Sequence, residues 1–254
     1  MINLLRKQAL SLSLGASCLL ASMTAFNAQA DVSVSGNVGV VSKYVLRGMQ
    51  ELGGLGPESN SPAMQGGFDL SAGGFYAGYW GSNLSYSDGG ADNGFENDLY
   101  AGYGLDVGGV SLSAGLIQYF YVDITNFDGL EFDASASYGP AKVRMQYLAK
   151  NVIWGNKGDI YFTASYGTEI IKGFNLDLVA GFYTYNDDDA SNPFMPDSAT
   201  AITSGFRHLN VSLSHAIGKT GATMSLTGIY GGQTRDDETQ GSTVVMGLNY
   251  GFDI

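Results

Sequence analysis

Cysteine is nearly missing: the 254-residue chain holds one, Cys18. It falls within an N-terminal stretch built like a secretory leader. Arg6 and Lys7 form its basic start, Ala9 to Met23 its apolar middle, and Ala28-Gln29-Ala30 a small-x-small cleavage site. Gly15-Ala16-Ser17 before Cys18 half resembles a lipoprotein processing site, but apolar residues run past it to the better site at Ala30. Cleavage there leaves a mature chain without a thiol, which excludes disulfides, iron–sulfur clusters and cysteine nucleophiles. Basic residues are also scarce, 12 against 24 acidic ones, for a formal charge of −12. Losing Arg6 and Lys7 with an acid-free leader takes it to −14, so a nucleic-acid partner is disfavoured. The mature chain also lacks any run near the roughly 18 apolar residues of a membrane-spanning helix. A helical membrane protein is excluded.

Glycine and aromatics are what the chain has instead: 37 glycines, 16 tyrosines and 13 phenylalanines, beside only 5 prolines. The repeating unit is clearest from Asp98 to Tyr121. Leu99, Ala101, Tyr103 and Leu105 share one parity, and Asp98, Tyr100, Gly102 and Gly104 the other. An extended strand therefore has one greasy and one polar or small face. After Gly108-Gly109 the alternation resumes with Val110, Leu112, Ala114 and Leu116, which reads as a hairpin. Each arm has roughly ten residues, the length of a tilted strand crossing a bilayer.

The rest of the mature chain parses the same way, with strands opening near Val32, Met64 and Phe75. Further strands follow around Leu130, Ala141, Ile160, Phe174, Leu209, Ala222 and Val244. This gives about twelve strands, with short turns alternating with long polar loops. A turn is expected over Gly167 to Gly173 and a long acidic loop from Asn186 to about Thr203. The expected fold is all-β: a transmembrane antiparallel up-and-down β-barrel over residues 31–254, behind a signal peptide over 1–30. A soluble secreted β-domain is the competing fold, but it has no reason to alternate its connections by length. Aromatics near the loop ends (Tyr119, Phe120, Tyr121, Tyr147, Phe182, Tyr185, Tyr230) and near the turns (Phe75, Tyr138, Tyr166, Phe174, Phe252) are expected to form two interfacial belts.

Four segments carry a family resemblance: NVGVVSKYVLRGMQ (Asn37 to Gln50), PAMQGGFD (Pro62 to Asp69), GFYAGYWGSN (Gly74 to Asn83) and ENDLYAGYG (Glu96 to Gly104). In order and spacing they resemble the TorF family of porins, a conserved bacterial outer-membrane family of unknown function. The resemblance implies an outer-membrane barrel and a channel; it brings no substrate and no catalytic residues. Met49 stands where small or β-branched residues are more usual, and the loop from Glu51 to Ser61 is longer than the family pattern.

Among candidate functional residues Arg47, before Gly48, comes first. It is either a fixed cation at a pore mouth, paired with Asp69 or Asp98, or a structural ion pair pinning the first loop. Asp69, Asp98, Asp133, Asp159 and Asp177 share the inward parity, as do Lys142 and Arg144. With Arg47 they form the expected pore lining, which either sets up a transverse field for small charged solutes or closes the lumen by mutual pairing. No metal site is expected from Asp187-Asp188-Asp189 and Asp197, which lack the spacing of a calcium loop. No enzyme is expected either. His208 precedes Leu209-Asn210 and His215 precedes Ala216-Ile217, so neither has a His-x-Ser nucleophile. Gly218-Lys219-Thr220 has Leu213 where a phosphate loop needs glycine, and Gly102, Gly104 and Gly108 are strand glycines. The expectation is an outer-membrane channel for passive diffusion of small hydrophilic solutes, without cofactor, inserted in outer-membrane lipid by the barrel-assembly machinery. The alternative is a closed structural or surface-interaction barrel that binds partners through its acidic loops.

Overall fold

In the computed structural model, residues 32–49, 62–85, 94–188, 191–195 and 200–254 are described. The leader expected over 1–30, the first-loop residues 50–61, and Asp189 and Asp197 of the acidic loop lie outside them.

Twelve antiparallel strands follow one another: β1 Ser33–Val41, β2 Ala63–Ala72, β3 Phe75–Asn83, β4 Phe95–Val107, β5 Val110–Val122, β6 Leu130–Tyr138, β7 Ala141–Leu148, β8 Ile160–Ile171, β9 Phe174–Thr184, β10 Ser204–Ala216, β11 Ala222–Gly231 and β12 Thr243–Asp253. Each pairs with its chain neighbours, and β1 pairs with β12 to close the ring, so no strand is left with an open edge. The tight turns are made by residues that accept positive φ. Gly108 and Gly109, at 59° and 85°, give a two-residue turn whose twist suits the flanking strands. The short turns lie at one end of the barrel, with the start of β1 and the end of β12, and the long loops leave from the other.

Alternation then sorts side chains between outside and inside. Val40, Met64, Leu99, Leu116, Phe132, Val143, Leu226 and Met246 are exposed on the outer wall, the apolar belt that a barrel presents to lipid. Two expectations need correction. β8 does not turn at Gly167 but continues to Ile171, with an irregularity between Glu169 and Ile171. Gly167 instead marks a close approach: it pairs with Asp177, whose Oδ1 would lie 2.5 Å from a Cβ there. The loop-end belt is also thinner than expected. Phe120, Phe182 and Tyr230 do face outward, but Tyr119 is buried inside, as is Tyr185 beyond the end of β9, and Tyr121 packs against the interior core. In β5 the parity of Ile117 carries Tyr119 and Tyr121 inward.

The interior divides into two halves. Towards the turns it is lined by small and polar side chains left half-buried, such as Ser137, Lys142, Ser165 and Asn175. Here two rings lie flat against the wall. Tyr76 sits over its partner Gly102, and Tyr100 over its partner Gly78, each in space that a Cβ would occupy. Towards the loops the interior is a packed core. Val41, Ala63, Ile229 and Val245 from the wall meet Tyr44 and Val45 of the first loop, Leu84 of the second, and Ile124 and Phe127 of the third. Each large apolar side chain sealed there contributes about 1.5–3 kcal/mol.

Candidate functional site in the loop-side lumen

The first loop leaves β1, and its described part, Ser42 to Met49, runs inward. β1 stands diametrically across the ring from β7, and Arg47 reaches the wall on either side of that strand. Its Nη2 lies 2.6 Å from Glu131 Oε2 on β6, its Nη1 donates to Tyr183 Oη on β9 at 2.6 Å, and its guanidinium sits 4.6 Å from the Tyr161 ring centre on β8. The segment therefore crosses the lumen. Two backbone features permit this: Arg47 itself has φ 50°, and Gly48, at φ 78°, presses on His208 so closely that a Cβ would come within 2.6 Å of it. A bulky residue in this conformation is uncommon and persists only where its surroundings over-determine it.

The ion pair is dry, with side-chain exposures of 5% for Arg47 and 1% for Glu131. Burial works against the Arg47 charge, but the Glu131 carboxylate with its hydrogen bond and the Tyr183 and Tyr119 phenols together outweigh it and hold the guanidinium firmly protonated. Glu131 Oε2 also accepts from Tyr119 Oη and Gln146 Nε2, both at 2.8 Å. A second buried carboxylate, Glu96 on β4, accepts from Tyr44 Oη at 2.5 Å and Tyr121 Oη at 2.9 Å. Burial first, and then Glu96, push the Tyr44 phenol well above its usual range, so it stays a donor. The first loop is thus tied to both β4 and β6.

Above this knot, loops from three hairpins lock together. Asp159, just before β8, pairs with Arg235 of the last loop and accepts the backbone N–H groups of Asn156 and Asn186. Arg235 also donates to Asn186 O and stacks on Tyr185. Asn192 Nδ2 donates to Val152 O, Gly155 O and Asn156 Oδ1.

The expected lining residues are thus distributed over three levels. Arg47 is central, but its acid is Glu131 rather than the expected Asp69 or Asp98, because the first loop runs right across the lumen. Asp69 accepts from Tyr100 Oη at 2.5 Å in the turn-side half, where Asp133 and Arg144 form an ion pair and Lys142 is half-buried. Asp177 lies on β9 with Oδ2 unbonded, and Asp98 is buried on β4 with Oδ1 unbonded. Asp159 belongs to the loop cap, not to a strand. Sequence reasoning missed Glu96, Tyr161 and Arg207. Glu96 shares the parity of Asp98, which was a usable signal; Arg207 had none, since its inward position depends on a register irregularity.

His208 is fully buried, its Nε2 2.5 Å from Tyr161 Oη and its Nδ1 2.9 Å from Asn210 Oδ1. These bonds suit an imidazole with its proton on Nδ1, and among the described residues no serine hydroxyl is bonded to it. His215 lies at the turn end, stacked on Phe174 with Nδ1 2.6 Å from Gly173 O. Among the described residues no three His, Cys, Asp or Glu side chains are grouped to hold a metal ion.

The Gcw_chp family model, described as bacterial protein of unknown function, matches residues 25–182, more than half of the chain. The chain belongs to this family. Among curated proteins no match was found. Among solved structures the chain is similar to the KdgM porin, at 9% identity and a TM-score of 0.51 over 87% of this chain and 99% of that one. It is also similar to a chain from a study of the in-meso crystallization of membrane proteins, at 10% identity and a TM-score of 0.52, covering 87% and 84%. At such identities the likeness is one of fold: a closed barrel of the kind found in outer-membrane porins.

Proposed function

We propose that this member of the Gcw_chp family is an exported outer-membrane channel for passive diffusion of small hydrophilic solutes, and that the arrangement described above is its closed form. One observation carries this reading. The first loop crosses the lumen and is latched to the far wall, over a half-lumen lined by small and polar groups. A water-filled path for hydrophilic solutes needs a polar, half-buried lining of this kind on its turn side. The apolar outer wall and the TorF resemblance support membrane insertion, and the leader-like first thirty residues support export. The electrostatic lining performs no bond-making.

A second reading, a closed barrel presenting its loops to a partner, is favoured by the Asp159–Arg235 brace, which ties together the described parts of the β7–β8, β9–β10 and β11–β12 loops. Current through planar bilayers separates the two. The channel reading expects stepwise conductance from the mature protein, rare in the native chain and frequent in Glu131→Gln. Silence from both at every applied voltage would leave the second reading.

A further inference from the structure

Three arginines lie along the β8–β10 wall, interleaved with Tyr161, Tyr183 and Tyr185. Arg235 stacks on Tyr185 at 4.7 Å, Arg207 sits 5.8 Å from the Tyr183 ring, and Arg47 covers Tyr161. Two of them have an acid each, Asp159 for Arg235 and Glu131 for Arg47. Among the described residues Arg207 has none. It is 5% exposed, its Nη1 donates to Gln233 O at 3.1 Å and weakly to Tyr185 Oη at 3.5 Å, and its Nε is buried with no acceptor.

The strand is built to put it there. Phe206 pairs with Phe182 on the outer face and His208 pairs with Gly181 on the inner face, so the register slips at Arg207. The bulge turns Arg207 and His208 inward in succession. A guanidinium buried without an anion is costly and, unlike a carboxyl, cannot shed its charge. Among the described residues, the other unbonded buried side-chain atoms are oxygens of Asp98, Asp177, Ser214 and Asn249. A proton or a rotated hydroxyl relieves the acids and the serine; nothing of that kind relieves Arg207.

We propose that Arg207 is an oxyanion-binding residue of the lumen, and that its guanidinium receives the carboxylate or phosphate group of a small anionic solute. This deepens the channel reading, on which it rests for the solute's route. The donor fork of arginine matches the two oxygens of either group, and a dry site strengthens the charge-assisted bonds.

The test is thermal denaturation of the full mature protein in detergent, titrated with succinate, with inorganic phosphate, and with choline as the cationic control. Saturable stabilisation by succinate, by phosphate or by both, but not by choline, is expected, and the effective anion names the solute class. Arg207→Gln is expected to weaken that response at least about tenfold, while Lys172→Gln, at an exposed position in the β8–β9 turn, leaves it unchanged. Arg207→Lys keeps the charge without the fork, is expected to fall between, and serves if the glutamine variant does not fold. The unliganded proteins give a separate readout. Arg207→Met should denature no lower than the native chain, since it removes an uncompensated charge, whereas Arg235→Met should denature lower. The proposal is overturned by no saturable oxyanion effect, by an equal effect in Arg207→Gln, or by Arg207→Met losing as much stability as Arg235→Met. Anion binding through Arg207 in a barrel that passes no current would sink only the channel reading; a conducting barrel indifferent to Arg207 would sink only this proposal.

Discussion

The two halves of the lumen solve the same problem differently. Both must accommodate charged side chains inside a ring of strands. On the loop side, Arg47 and Glu131 are sealed among tyrosines and apolar loop residues, and the bonds between them have little water to replace them. On the turn side, Asp133 and Arg144 pair at about twice the exposure of Arg47 or more, with side chains 10% accessible, among serines and glycines. Rings in the turn-side half are laid flat over glycines, whereas rings in the loop-side half stack on one another, as Tyr183 does on Tyr185 with centroids 4.9 Å apart. The difference follows from what reaches each half: loops long enough to fold inward at one end, and turns of two to five residues that cannot at the other.

The strongest way to break this contrast is to cut one ion pair in each half. Glu131→Gln strands Arg47 in a dry site and should cost about 3–5 kcal/mol in urea unfolding from lipid vesicles. Asp133→Asn should cost less, about 2–3 kcal/mol, because its pair keeps 10% accessibility against 5% for Arg47 and 1% for Glu131. Equal costs would mean that the halves are alike. Next in size is Gly102→Val, whose side chain takes the space of the Tyr76 ring. We expect a loss of about 1–3 kcal/mol and, in an opened Glu131→Gln background, a lower unitary conductance as the ring is driven off the wall. Asn192→Ala, which removes a side chain bridging two loops, should cost about 1–2 kcal/mol and raise protease sensitivity of the loop end without changing conductance. The smallest effect belongs to Ser113→Ala. Its hydroxyl bond to Ser135 at 2.7 Å lies in the half-buried region, and its loss should fall within about 0.5 kcal/mol.

Most of the barrel was legible because lipid and lumen impose a period of two on every strand. Leu99, Ala101 and Tyr103 could be placed before any coordinates were known. The turns at Gly73-Gly74 and Gly108-Gly109 were equally readable, since positive φ asks for glycine. The candidate site was legible only in part. Arg47 stood out as a cation set before a glycine where the first strand's alternation breaks, yet its partner Glu131 lies 84 residues away, at a distance that alternation says nothing about. Parity also misled where it was locally broken, at the β10 bulge that hides Arg207 and at the end of β8. Tyr119 and Tyr121 were assigned to a belt by their position along the strand, although their parity already pointed inside.

The first loop has a mechanical consequence as well. A closed ring of strands resists shear through its hydrogen bonds but flattens easily, since bending at each strand junction costs little. A segment rooted at β1 and fastened on both sides of β7 acts as a strut across the widest span, so ovalisation must stretch Arg47 away from Glu131 before the wall can yield. Squeezing of the barrel by its surroundings is thereby converted into strain on a single residue.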